Sequence, residues 1–285
     1  MSQIINAVNE EKLTLGDEYL FEELLLRNKD ITKQLLEKIT GISEISDIEY
    51  ISTEDVQTAS KKSKSVRFDV YVKDQDGVAY IVELQRSDTK EIPQRARYYQ
   101  ITSDSRSLPK GAKYRDLKDN YVIFICRKDI FGHGLYKYTF ENMCHEVQGL
   151  TLGDKTYKIF LNTQGNDGDV CSDVVDFLKS IEGIVTDNPF IKKIEAAAEE
   201  IRADERWRAK RMQSLVRDQD NFDRGYEQGM MQSLVREQDA INRGSDARAV
   251  EIAKNMLTEK MSISAISKVT GLSETEITTI EKYNF

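Results

Sequence analysis

The chain has 285 residues, 39% of them hydrophobic and 32% charged, with a formal net charge of −8. That length allows one large domain or one domain with smaller pieces, and the apolar fraction is enough for a core. No apolar run approaches the length of a membrane span, the opening MSQIINAVNEEKLTL lacks the basic-then-apolar pattern of a signal peptide, and the acidic balance argues against a wholly basic nucleic-acid binder. Cys126, Cys144 and Cys171 are odd in number and show no CxxC spacing. Reduced thiols in the cytoplasm are the expectation. With only His133 and His145 in the chain, a His-rich zinc site is not expected, and any metal should be held by oxygen.

Leu20, Leu24, Leu35, Leu36 and Ile39 recur at helical spacing between Gly16 and Gly41, which predicts helix over 15–40. ISDIEYI (45–51) reads as a first strand. The next stretch, RFDVYVKDQDGVAYIVELQ, carries two strand-like runs, 67–73 and 78–85. Between them Gln75-Asp76-Gly77 fits a three-residue hairpin loop with glycine in the left-handed position. That loop sets Lys73 or Asp74 beside Val78, and counting back puts Asp69 across from Glu83. Residues opposite one another in an antiparallel pair share a face. Gln85, two positions beyond Glu83, shares it too. Asp69, Glu83 and Gln85 therefore converge on one patch. Two neighbouring carboxylates repel unless a cation lies between them or one stays protonated. A hard divalent ion is the economical answer. Glu83 also stands between Val82 and Leu84, an awkward place for a charge without a partner.

Pro93 suits the first turn of a helix reaching about Ser103, which would carry Arg95 and Tyr99 on one face. NYVIFIC (120–126) is a continuous apolar run typical of a buried central strand. LYKYTFEN (135–142) and YKIFLNT (157–163) are further strands, and 172–182 returns to helical spacing. An α/β or α+β domain over 1–185 accounts for this series. Residues 55–128 hold 16 Lys and Arg against 10 Asp and Glu, a local net of +6 that leaves −14 for the rest. A basic surround with an acidic centre suits phosphate outside and metal inside, with Lys61, Lys62 and Arg67 among the outer cations. The plainer reading of KKSK (61–64) is a solvated loop.

After Pro189 the chain becomes charged and poor in large aliphatics. Residues 186–247 read as a charged helical arm or linker. They contain an echo, MQSLVRDQD at 212–220 and MQSLVREQD at 231–239, interrupted by Gly225, Gly229 and Gly244. A self-association arm making a dimer is the sharper reading of it. Residues 248–285 have the outline of a helix-turn-helix, with the turn at Gly271 and a Ser273/Glu276 capping box. Its second helix carries Glu274, Glu276 and Glu281 against Lys282 alone. That balance repels phosphate and favours a packing or oligomerisation role.

RFDV, YIVELQ, PQRARYYQ and LPKGAKYRDLKDNYVIFIC, with FGHGLYKYTFEN, KIFLNTQG and DEYLFEELL, form an ordered series. Over roughly 13–215 this series resembles the Rpn-type recombination-promoting nucleases and putative transposases of the PD-(D/E)XK superfamily. The resemblance implies a restriction-endonuclease-like central mixed sheet flanked by helices, here with a helical C-terminal extension. It implies a Mg2+-dependent DNA endonuclease, with Mn2+ as a substitute ion and a role in recombination or mobile elements. Asp69 and Glu83 would hold the metal with the Leu84 carbonyl. Gln85, where the superfamily pattern most often has Lys, would orient the attacking water by hydrogen bonding. Arg95 and Tyr99 would face the site, Arg95 steadying phosphate. Asp17 would be an accessory acid, touching the metal or its water from outside. The alternative is a non-catalytic DNA-binding or scaffold protein, in which the missing lysine marks lost chemistry.

Overall fold

The computed structural model describes residues 13–52, 67–86 and 90–284. Asp17 opens helix α1 (Glu18–Arg27): its carboxylate accepts the Leu20 N–H at 3.0 Å, satisfying one of the first-turn donors. The expected single helix over 15–40 is two. Asn28 leaves helical geometry, and its side-chain amide takes the Leu24 carbonyl at 2.9 Å. Helix α2 (Lys29–Thr40) then runs to Gly41, whose φ of +79° closes it in the left-handed conformation. Hydrophobic periodicity runs on through the break, because α1 buries Leu and Phe and α2 buries Leu and Ile against the same core.

Strands β1 (Ile48–Tyr50), β2 (Val70–Asp74), β3 (Ala79–Gln85), β4 (Asn120–Cys126), β5 (Lys137–Phe140) and β6 (Thr156–Asn162) form one sheet in the order β1-β2-β3-β4-β6-β5. β3, β4 and β6 are parallel; β1 and β2 at one side and β5 at the other are antiparallel. The sheet is mixed and flanked by helices, an α/β architecture. β4 lies inside it, and Val122, Ile123, Phe124 and Ile125 are all fully buried, which is why its run is apolar without alternation.

One sheet face, with Val70, Val82, Ile123 and Ile159, packs under α1, α2, α4 (Ser172–Ile181) and α5 (Pro189–Ala203). The other, with Tyr71, Ile81, Val122 and Phe124, packs under α3 (Ile92–Ser107) through Ile92, Ala96 and Tyr99. The chain divides into two compact units between Ala209 and Lys210. The boundary lies beyond the one read at 185, because Phe190, Ile191, Ile194, Ala198, Ile201 and Trp207 return to the first core. Asn188 starts that return, its side chain capping the N–H groups of Phe190 and Ile191.

Helix α6 (Glu205–Thr258) is 54 residues long and contains the echo and all three of its glycines. In the second unit its last turns join α7 (Ile263–Thr270) and α8 (Glu274–Asn284) around Ala253, Ile266 and Ile277. Gly271 is left-handed at φ +76°. Ser273 and Glu276 form the capping box: Glu276 accepts the Ser273 N–H at 2.8 Å and Ser273 Oγ accepts the Glu276 N–H at 3.3 Å. Among the described residues no helix is long and apolar enough to cross a membrane.

Candidate active site

The site follows from the β2–β3 hairpin. Asp74 donates its N–H to Val78 at 3.1 Å and turns Oδ1 back onto the N–H groups of Asp76 and Val78. Gln75, Asp76 and Gly77 are left as the loop, with Gly77 at φ +84°, a conformation that a side chain would strain. The register that results pairs Lys73 with Ala79, Tyr71 with Ile81 and Val70 with Val82. One step further on, Asp69 stands opposite Glu83, just before the first residue of β2.

There the ladder gives way to a reciprocal exchange. The Asp69 N–H donates to Glu83 Oε1 at 2.9 Å, and the Leu84 N–H donates to Asp69 Oδ2 at 3.0 Å. Each acid is tied to the other's strand. Alternation places Asp69, Glu83 and Gln85 on the α3 side of the sheet, where Arg95 and Tyr99 meet them one helical turn apart. Arg95 Nη1 donates to Gln85 Oε1 at 2.5 Å; Nη2 donates to Glu83 Oε2 at 3.2 Å and to Tyr99 Oη at 2.9 Å. The Tyr99 hydroxyl also donates to Glu83 Oε2, at 3.2 Å. Arg95 takes one of the two lone pairs of the Gln85 oxygen.

Burial sets the electrostatics. Asp69 is pushed up to about 6, chiefly by desolvation; Glu22 and Glu18 add to the rise, while the Leu84 N–H and Arg67 oppose it. Glu83 is 3% exposed and lies well above the usual carboxylate range, first from desolvation and then from Asp69. The Asp69 N–H, Arg95 and the Tyr99 hydroxyl pull it back. Tyr99 in turn is pushed up to about 12 by burial and by Glu83. The pair is thus short of positive charge.

The other expected site residues fall as follows. Asp17 serves as the α1 cap. Arg67 reaches across to Glu22 with contacts of 3.0 and 3.3 Å to its two oxygens. Lys61 and Lys62 lie outside the described residues. Sequence reasoning missed Glu18 and Glu22, the α1 acids whose charge Asp69 feels. Their signal was available: they stand four apart on a helix starting next to Asp17. Among the described residues, no group of three or more His, Cys, Asp or Glu side chains is gathered closely enough to hold a metal by itself.

Two family models match the chain. Residues 18–168 match the PD-(D/E)XK nuclease family transposases, and residues 247–282 match the C-terminal HTH domain of the Rpn/YhgA-like nuclease family. No curated protein and no solved structure gives a match. The first match covers more than half of the chain and takes in all six strands and both carboxylates. The chain therefore belongs to the PD-(D/E)XK nuclease family transposases and ends in an Rpn/YhgA-like HTH domain.

Proposed function

We propose that the chain is a divalent-metal-dependent DNA endonuclease using Mg2+, with Mn2+ as a substitute. The observation that carries this reading is the reciprocal exchange between Asp69 and Glu83, which holds two buried carboxylates together despite their repulsion. The donor set fits a hard ion. It is all oxygen, and Asp69 Oδ1 has no hydrogen-bond partner among the described residues. Leu84 already turns its N–H toward Asp69, and in a strand the N–H and C=O of one residue face the same neighbour, so its carbonyl joins the set. Two carboxylates and a carbonyl leave room for the waters that Mg2+ retains. Asp69, Glu83 and the Leu84 carbonyl would hold the ion.

A bound divalent ion would make the attacking water more acidic and offset charge on the phosphorane-like transition state. The chain's own part is positional. Asp69 and Glu83 fix the acceptor side of the water, and Arg95 presents its fork to a phosphate oxygen. The water oxygen bonds to phosphorus as the bond from phosphorus to a sugar oxygen breaks. One water proton is lost to solvent, and the departing oxygen gains a proton.

DNA is the partner of the first unit, drawn by the excess of Lys and Arg over 55–128. The acidic α8 suits chain pairing better than phosphate, so the helical region from 210 onward is assigned to a homodimer. Three free cysteines fit a reducing cytoplasm. A second reading, a non-catalytic DNA-binding scaffold, draws on Glu83: both its oxygens are already engaged by Asp69, Tyr99 and Arg95.

Plasmid nicking separates the two. The wild type should nick supercoiled DNA with Mg2+ and stop with chelator, and Asp69→Ala should fall by about a hundredfold or more. Nicking unchanged in Asp69→Ala would sink this site, and binding without cleavage in Mg2+ and Mn2+ would establish the scaffold. Light scattering checks the pairing: removal of 210–285, which leaves the first unit whole, should halve the mass beyond the residues lost.

A further inference from the structure

The (D/E)XK pattern of the superfamily ends in a lysine, and this chain has Gln85 there, in Glu83-Leu84-Gln85. An amide carries no charge. If the nuclease reading above holds, the cation that this pattern sets beside the scissile phosphate must come from elsewhere.

Arg95 is the cation that touches the pattern. Its guanidinium spans Gln85 Oε1 and Glu83 Oε2, with Tyr99 Oη as a third acceptor. It also lies 5.5 Å from the ring centroids of both Tyr99 and Phe124. Those rings restrict where the group can move, and cation–π attraction favours it there. Three of its five N–H donors are used, leaving two without a partner among the described residues. The shortest of the contacts is the one to Gln85. A lysine at that position would set an ammonium against the guanidinium, and like charges at such a distance repel.

We propose that Arg95 is the catalytic cation of this site and that Gln85 is its positioning residue. The lysine's work is split between a charge delivered from α3 and an amide on β3 that holds it. Gln at 85 and Arg at 95 are then a matched pair. Placing the superfamily pattern's lysine at 85 alone should damage the site rather than improve it.

Single-turnover cleavage of a short duplex with Mg2+ tests this in four proteins: wild type, Arg95→Ala, Gln85→Lys, and the double variant. Arg95→Ala should lose about a hundredfold in rate at saturating DNA, with half-saturation changed only severalfold. Gln85→Lys should lose about tenfold or more, from the like charge beside Arg95. The double variant should recover about tenfold or more over Arg95→Ala, since its ammonium fills the vacated place. A merely structural arginine would give no such recovery. A double variant no faster than Arg95→Ala, or Gln85→Lys at or above wild type, overturns the proposal.

Melting in chelator, without DNA, reads the clamp apart from catalysis. Gln85→Lys should melt several degrees below wild type, and the double variant should regain part of that loss. If the wild type never cleaves yet this pattern appears, the nuclease reading fails, the catalytic role of Arg95 falls with it, and the clamp stands. If Gln85→Lys melts like wild type, the clamp itself is overturned.

Discussion

The two units treat acidic side chains in opposite ways. In the first, Asp69 and Glu83 are drawn into a sheet face, where desolvation pushes both above their usual range, Glu22 and Glu18 adding to the rise at Asp69 and Asp69 to that at Glu83. In the second, Glu274 and Glu281 sit exposed on α8, and Glu276 is held below its usual value by the Ser273 hydroxyl and N–H. Burying a charge is costly unless it is paired, whereas a capping carboxylate in water costs little. The sheet thus keeps a cluster that works against its own stability, and the helical unit uses acids to fasten a helix end. That contrast supports the sheet site proposed above.

Phe124→Ala should give the largest effect. It removes a fully buried ring stacked on Tyr99 and Phe160 beneath Arg95. A loss of about 3–5 kcal/mol is expected in the first unit. Calorimetry should show the first unit's transition lowered while that of the helical unit is unmoved. A shared shift would mean the units do not melt separately.

Asp69→Asn should move stability the other way. The folded pKa of Asp69 is raised to about 6 from 3.8, so between those values the folded state holds the extra proton. Its contribution is favourable at low pH and is lost as pH rises through about 6. In chelator at pH 7 the neutral variant should therefore be more stable by about 1–2 kcal/mol. The gain should vanish below about pH 4. A variant less stable than wild type at neutral pH would show that the exchange with Leu84 outweighs the desolvation.

Ser273→Ala should cost the helical unit about 1 kcal/mol and leave the first unit unchanged. Gly225→Ala and Gly229→Ala should be the mildest, each adding about 0.5–1 kcal/mol to α6. A Cβ at either position meets nothing within 4 Å. Circular dichroism would read the gain in helix. A loss of the dimer in these glycine variants, with helix content raised, would place a neighbouring chain against them.

Much of the sheet was legible in the sequence. NYVIFIC is the interior strand residue for residue, since a strand buried on both faces needs no alternation. The Gln75–Gly77 loop fixed the register, and with it the meeting of Asp69 and Glu83. Long-range partners were not legible. Glu22 reaches Arg67 across 45 residues, and only the packing of α1 on the sheet brings its charge near Asp69. The sequence sets Arg95 and Tyr99 on one helix face, but the contacts of Arg95 with Gln85 and Glu83 come only from the packing of α3 on the sheet. The end of the first unit was missed because residues 189–207 look charged in composition. Their apolar side chains lie on one buried stripe.

The three-residue turn at Gln75–Gly77 has a reach that its position conceals. It ends six residues before Glu83, about 20 Å along an extended chain. One added residue there would slip the pairing by a step, and a one-step slip sends side chains to the opposite side of a sheet. Asp69 would then look toward α1 and Glu83 toward α3, with every acidic residue intact. The length of this small bend thus bears on the chemistry, and a deletion or insertion in it should be as damaging as losing a carboxylate.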